Sequence, residues 1–232
     1  MINIVKADNR HLKDMGWLKT YWLFSFSDYY DPSNVSHGNL RVFNDDVVQA
    51  HTGFDTHPHE EMEIISIILD GEMAHKDTMG NETIIRPNDV QRMTAGTGLF
   101  HSEKNESDRP VHFYQIWIIP DKRGLAPSYD QRSFDPALWQ NRLALLASDR
   151  EAEGIVTLNT EADLYRAALE SGHSVSLDIS AGSNAFVYLV SGSADLNGHR
   201  LQTNDQARIS NTGHLEITAG ESAEFILIRV PA

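Results

Sequence analysis

Residues 54–71, FDTHPHEEMEIISIILDG, set His57 and His59 one residue apart at the head of a long apolar run that ends in glycine. In a β-strand successive side chains alternate between faces, so two imidazoles at i and i+2 project together. The same arithmetic applies downstream to HSE, where His101 and Glu103 flank Ser102. Two such pairs on neighbouring strands bring three imidazole nitrogens and one carboxylate oxygen to one cation. The chain has no cysteine, which removes disulfides and thiolate ligands and leaves imidazole, carboxylate, carbonyl or water to hold a metal. That donor set suits a borderline divalent ion such as Fe, Mn, Co, Ni, Cu or Zn. Zinc closed in a four-ligand tetrahedron would be a staple. Ligands borne on strands crowd one side of the ion, which favours a six-coordinate centre with two open positions.

The elements that must carry these pairs are strands. Turn signals recur at Asp31-Pro32, Asp70-Gly71, Gly80-Asn81, Pro87-Asn88-Asp89, Asn197-Gly198 and Asn211 to Gly213, and runs of four to nine residues rich in Ile, Val, Tyr and Phe lie between them. This is the pattern of an all-β sandwich or barrel. Helix is expected only at Pro136 to Leu146 and at Thr160 to Tyr165. A repeat is present: IILDGEM (67–73) followed by RPNDVQRM (86–93) answers to YLVSGSA (188–194) followed by QTNDQARI (202–209). Two copies of one barrel are implied, with the polar stretch from Asp121 to Gly154 between them, and we place the division as 1–135 and 136–232. The repeat puts Asp178 and Ser180 where the first half has His57 and His59, and Ile217 and Ala219 where it has His101 and Glu103. Chemistry is therefore expected in the first half alone.

Composition narrows the partners. With 19 Lys and Arg against 33 Asp and Glu, a formal charge of -14 repels phosphate backbones and argues against direct nucleic-acid binding. No uncharged apolar window of about 18 residues predicts a membrane helix. The first fifteen residues, MINIVKADNRHLKDM, lack the apolar stretch of a secretory signal, so a cytoplasmic location is expected.

The motifs carry a resemblance. The stretch from Gly53 to Glu63, with Gly71 beyond it, looks like the first cupin motif, and Pro87-Asn88-Asp89 followed by GLFHSEKN (98–105) looks like the second. More narrowly, the chain resembles the pirin family of bicupins through GWLKTYWLFSFSDYYDP (16–32), LRVFNDD (40–46), THPHEEMEI (56–64), HKDTMGN (75–81), MTAGTGLFHSEKN (93–105) and YQIWIIP (114–120). Trp22-Leu23 departs from the His-Thr that many relatives carry. The resemblance implies an all-β bicupin of two tandem cupin barrels with few short helices, the second degenerate. It also implies one divalent metal per chain, with iron(II) expected, held by His57, His59, His101 and Glu103.

The activity implied is that of the pirin-like quercetin 2,3-dioxygenases, in which a flavonol and O2 meet at the metal and the ring opens with loss of carbon monoxide. Glu103 then serves as ligand or detached base for the substrate hydroxyl. Glu63, a ligand in many cupins outside this group, is expected to orient an imidazole from its odd position on the strand. Phe54, Phe113, Trp117, Phe24 and Phe26 are candidates for an aromatic pocket wall. Pirins are also described as transcription cofactors and redox sensors, so the competing expectation is a metal-responsive protein that acts through a protein partner.

Overall fold

A computed structural model of the chain describes residues 1–150 and 152–232. Its first twelve strands are β1 (Ile2–Val5), β2 (His11–Asp14), β3 (Leu18–Trp22), β4 (Leu40–Val48), β5 (Thr52–His59), β6 (Glu63–Asp70), β7 (Met73–Asp77), β8 (Glu82–Ile85), β9 (Asp89–Thr94), β10 (Leu99–Asn105), β11 (Val111–Ile118) and β12 (Ser128–Ser133). The remaining eight are β13 (Ala144–Ser148), β14 (Val156–Thr157), β15 (Asp163–Leu169), β16 (Ser174–Asp178), β17 (Ser183–Leu196), β18 (His199–Gln202), β19 (Gln206–Ile209) and β20 (His214–Pro231). Two short 3-10 turns, Ala7–Asn9 and Pro136–Trp139, complete the described elements. The fold is nearly all β, a pair of cupin barrels. Among the described residues no helix is long and apolar enough to cross a membrane.

The chain forms two compact units. One gathers His11–Phe134 and Asp149–Glu161; the other gathers Met1–Arg10, Asp135–Ser148 and Ala162–Ala232. The first ten residues join the second group because β1 pairs antiparallel with β19, Ile2 opposite Ile209.

In the unit that holds the histidines, a sheet of order β12-β9-β6-β11-β4-β3-β2 lies against a smaller sheet of order β5-β10-β7-β8. Its interior is layered. One apolar cluster holds Leu18, Val48, Ile68, Met73, Ile85, Val111 and Phe113, and a second holds Ile64, Met93, Ala95 and Leu99. Period-two alternation places Ser66 between Ile64 and Ile68 on β6, and Gln115 two residues beyond Phe113 on β11. Strand pairing then sets Asn44, Gln115, Ser66 and Gln91 in one row across the large sheet. All four are buried, so a polar layer separates the two apolar clusters.

The other unit has the sheet order β1-β19-β17-β20-β15-β13, with β16 on β20 and β18 on β17. Its interior is one continuous apolar cluster that includes Leu177 at its margin and Leu215, Ile217, Ala219, Phe225 and Leu227 within. The repeat glycines have a common steric cause. A Cβ on Gly71 would sit 2.7 Å from Val111 Cα, and one on Gly192 would sit 1.7 Å from Ser222 O. Each adopts positive φ where a neighbouring strand passes close.

Both expected helices are corrected. Over 136–146 only the Pro136–Trp139 turn forms, started by Asp135 accepting from Ala137 N, and Asn141 then enters the left-handed region at φ 56°. Ala144–Ser148 continues as a strand because it pairs with β15. The 160–165 segment runs into β15, whose Asp163 lies opposite Arg229 on β20 and bonds its Nε at 2.6 Å. Tertiary pairing overrides local helical preference in both places. Truncating Phe225, fully buried in the apolar barrel, to alanine is expected to cost about 3–5 kcal/mol, read as a lower unfolding midpoint in urea.

Candidate metal centre

The site begins with an irregular ladder between β5 and β10. Leu99 lies opposite His59 and His101 opposite His57, but Glu103 lies opposite Phe54, so β5 carries one residue more than its partner. A bulge of this kind shifts side-chain parity and re-aims the side chains beyond it. It lets Phe54 pack against the apolar cluster of its own barrel while His57 joins the imidazoles. His57 Nδ1 donates to the carbonyl of Asp55 at 2.7 Å, and because a carbonyl only accepts, Nε2 keeps the lone pair. Gly53 completes the arrangement. A Cβ there would meet Glu103 O at 2.3 Å and Lys104 Cα at 2.7 Å, so the absence of a side chain lets β10 approach where it carries the carboxylate.

Three imidazoles converge. Ring centroids are 4.4 Å apart for His57 and His101, 4.8 Å for His57 and His59, and 4.9 Å for His59 and His101. One nitrogen from each lies within 4.8 Å of the others. Burial, reinforced by the neighbouring imidazoles, pulls His59 down to about 4 and His101 down to about 3, so both rings are neutral at neutral pH. His101 is 2% exposed, and neither of its ring nitrogens has a hydrogen-bond partner among the described residues. An imidazole buried this way is costly unless something other than a hydrogen-bond donor takes its lone pair. A divalent cation fits that role and this donor set.

Glu103 stands beside the trio. Its Oε2 accepts from Gln115 Nε2 at 2.8 Å and its Oε1 from Ser66 Oγ at 3.4 Å. Within 4.8 Å it groups with His101 and His75, and the three-histidine group at that distance does not include it. Glu63 is placed elsewhere. It accepts from Thr94 Oγ1 and Asn159 N and lies 3.8 Å from Arg92 Nε. The reason is local: Glu61 turns through the left-handed region at φ 47°, after which β6 enters the other sheet, so parity counted along β5 does not reach residue 63.

The aromatic candidates divide. Trp117 lies 4.9 Å from His59 and meets Phe26 edge-on at 5.3 Å, while Phe54 lies 6.3 Å from His57 and meets Trp17 edge-on at 5.1 Å. A cavity of about 640 Å³ is lined by Trp17, Gly53, Phe54, Asp55, His57 and Lys104. Phe24 and Phe113 are buried at 1% exposure, and Phe113 belongs to the apolar cluster.

Several buried polar groups went unread in the sequence. Gln115 and Ser66 hold the Glu103 carboxylate, and their signal was a lone polar residue inside an otherwise apolar strand. Asp46 is pushed up to about 8 by burial, with the charges of Asp45 and Glu103 adding to it. His75 and Asp77 form a fully buried pair, Nε2 to Oδ2 at 3.0 Å. Burial raises Asp77, yet hydrogen bonds from His75 and Asn81 outweigh it and hold the carboxyl below its usual range.

The second barrel supplies an internal control. On its paired strands Leu177 lies opposite Leu215 and Val175 opposite Ile217. Counted from the repeat glycines through the strand pairing, His75 answers to Leu196, Glu103 to Ile217 and His101 to Leu215, so the counterparts of His57 and His59 are Leu177 and Ile179, and not Asp178 and Ser180 as the repeat spacing suggested. Asp178 is exposed and bonds His214. On the other side Leu196 stands opposite Ile217 where the first barrel has His75 opposite Glu103, and Asp77 answers to Gly198 in the turn after β17. The positions of the three clustered histidines, of Glu103 and of His75 are all apolar in the twin.

Comparison with known proteins agrees with this architecture. Residues 5–118 match the family model described as Pirin, and residues 145–230 match the one described as quercetinase C-terminal cupin domain. A quercetin 2,3-dioxygenase of Escherichia coli K12 is 38% identical over 232 residues, spanning 100% of this chain and 99% of its own. A pirin-like protein of Caulobacter vibrioides is 37% identical over 216 residues, 93% of each chain. Among solved structures, the bacterial pirin YhhW from Escherichia coli in complex with nickel(II) superposes at a TM-score of 0.94, with 37% identity over 100% of this chain and 99% of that one.

Replacing His101 with alanine is expected to abolish retention of one divalent ion per chain, measured by elemental analysis of protein purified without a metal-chelating tag. Gly53→Ala is expected to weaken nickel(II) binding in calorimetry, because the added Cβ must displace the β10 backbone at Glu103.

Proposed function

The chain belongs to the pirin family, and from that premise we propose that it is a metal-dependent dioxygenase of the quercetin 2,3-dioxygenase type. The observation that carries this reading is the convergence of His57, His59 and His101 as lone-pair donors, with His101 buried and unpaired on both nitrogens among the described residues. These three would hold one divalent transition metal. A nickel(II) complex of a relative supports the ion's charge class, and iron(II) is the ion we propose for turnover with O2. When bound, the metal supplies Lewis acidity and a place where a substrate oxygen and dioxygen are brought together.

The rest of the chemistry belongs to the chain. Glu103, which accepts from Gln115 and Ser66, would take the proton of the flavonol hydroxyl that approaches the centre, or turn toward the ion as a fourth ligand. Trp117 with Phe26, and Phe54 with Trp17, offer ring faces and edges on which a flat polyphenol can pack. The apolar interior around the polar layer limits water at the reacting atoms. The second barrel, apolar at every matching position, holds no ion in this reading.

Aerobic incubation of the iron-loaded protein with quercetin is expected to consume the flavonol absorbance and release carbon monoxide. Glu103→Gln is expected to lower kcat by about 10²–10⁴-fold, the range for loss of a positioned general base. Turnover by His57→Ala at the wild-type rate would contradict the proposal.

A further inference from the structure

The segment HKDTMGN, residues 75–81, holds a device that the dioxygenase reading leaves unused. A metal-bound imidazole gives one nitrogen to the ion and carries a hydrogen on the other, and that N–H ordinarily meets a carboxylate, a carbonyl or water, which fixes the ring plane and raises ligand basicity. His57 has such a partner in the Asp55 carbonyl. His101 has none, although it is the most enclosed of the three.

Across the β10–β7 ladder, Asp77 lies opposite His101 and His75 opposite Glu103. The His75 ring is 5.4 Å from the His101 ring, and a nitrogen of each lies within 4.8 Å of the other and of a Glu103 oxygen. That span is closed by one bridging water or a small ring rotation. His75 is itself locked. Asp77 Oδ2 accepts from His75 Nε2 at 3.0 Å, and because a carboxylate only accepts, Nε2 carries the hydrogen and Nδ1 the lone pair. Gln91 Nε2 occupies that lone pair at 3.2 Å, a long bond that another donor can replace. Asp77 is fixed in turn by Asn81 Nδ2 at 2.9 Å and by the backbone N–H groups of Met79 and Asn81. Tyr129 packs against the His75 ring, 5.0 Å between centroids.

We propose that His75, held in one tautomer by Asp77, is the positioning residue of the centre, accepting the ring N–H of His101 that the metal leaves free. The twin barrel shows that the fold does not require the pair. The counterpart of His75, Leu196, is buried and apolar, and that of Asp77 is Gly198 in the turn after β17. A fully buried imidazole and carboxylate are poor substitutes for apolar packing as a source of stability, so their presence tracks the metal cluster and not the barrel. The inference rests on the metal-centre reading and adds to it a residue that touches neither ion nor substrate.

The test is calorimetric titration of metal-free protein with nickel(II), together with the visible spectrum of the cobalt(II) form. His75→Leu and Asp77→Asn are expected to weaken nickel(II) binding about 10–100-fold and to shift the cobalt(II) bands. His75→Gln, which keeps an acceptor, recovers most of the loss. The metal-free His75→Leu protein, which leaves the buried Asp77 carboxylate without its ring partner, is expected to melt below the wild-type temperature, so its nickel(II) affinity is read on protein shown to be folded. If His75→Leu does not fold, Asp77→Asn decides, because it preserves shape and the turn. Folded variants with wild-type affinity and an unchanged cobalt(II) spectrum overturn the proposal. A wild-type protein that binds no nickel(II) overturns the metal reading itself, so the two failures are distinct.

Discussion

Burial of His59 and His101, with His57 brought against them at the edge of a cavity, is the constraint around which the first barrel is arranged. Neutral rings in a dry interior cannot repel one another as cations do, and burial together with mutual proximity keeps His59 and His101 in that state. Lone pairs brought this close are unfavourable in an otherwise empty interior, and a cation converts the same arrangement into a binding site. The strand bulge at Phe54 to His57, the bare backbone at Gly53 and the Asp55 carbonyl all serve to aim those lone pairs inward. Without the bulge, alternation would send Phe54 and His57 to opposite faces.

The rest of the barrel adapts to that constraint. A row of polar residues from Asn44 to Gln91 faces the ligand strands and divides the interior into two apolar clusters. Its members supply hydrogen bonds to Glu103 and His75 that water would otherwise provide. The second barrel shows what the same strand plan becomes when no ion has to be held: one continuous apolar cluster, with leucine and isoleucine at the positions of the histidines and Glu103. Stability and chemistry are thus divided between two copies of one architecture.

Much of this was legible in the sequence, for physical reasons that also mark its limits. His57 with His59, and His101 with Glu103, could be paired because strand alternation is a strict period of two. The repeat was visible through Gly71, Gly192 and the two Asn-Asp turns, positions where backbone crowding or positive φ leaves few alternatives. Counting parity failed where the chain broke its own period: Glu61 in the left-handed region carried Glu63 to another sheet. Residues 144–148 and 163–169 became strands because long-range partners claimed them, which no local pattern records. Gln115 and His75 were passed over since their roles depend on strands distant in sequence.

The central claim is that three imidazoles, from residues 57, 59 and 101, bind one ion. X-ray absorption fine structure of the nickel(II)-loaded protein tests it most directly, because multiple scattering from imidazole rings counts histidine ligands. The account predicts three, falling to two in His57→Ala; a wild-type spectrum with fewer than three imidazoles, or one unchanged by that substitution, would contradict it.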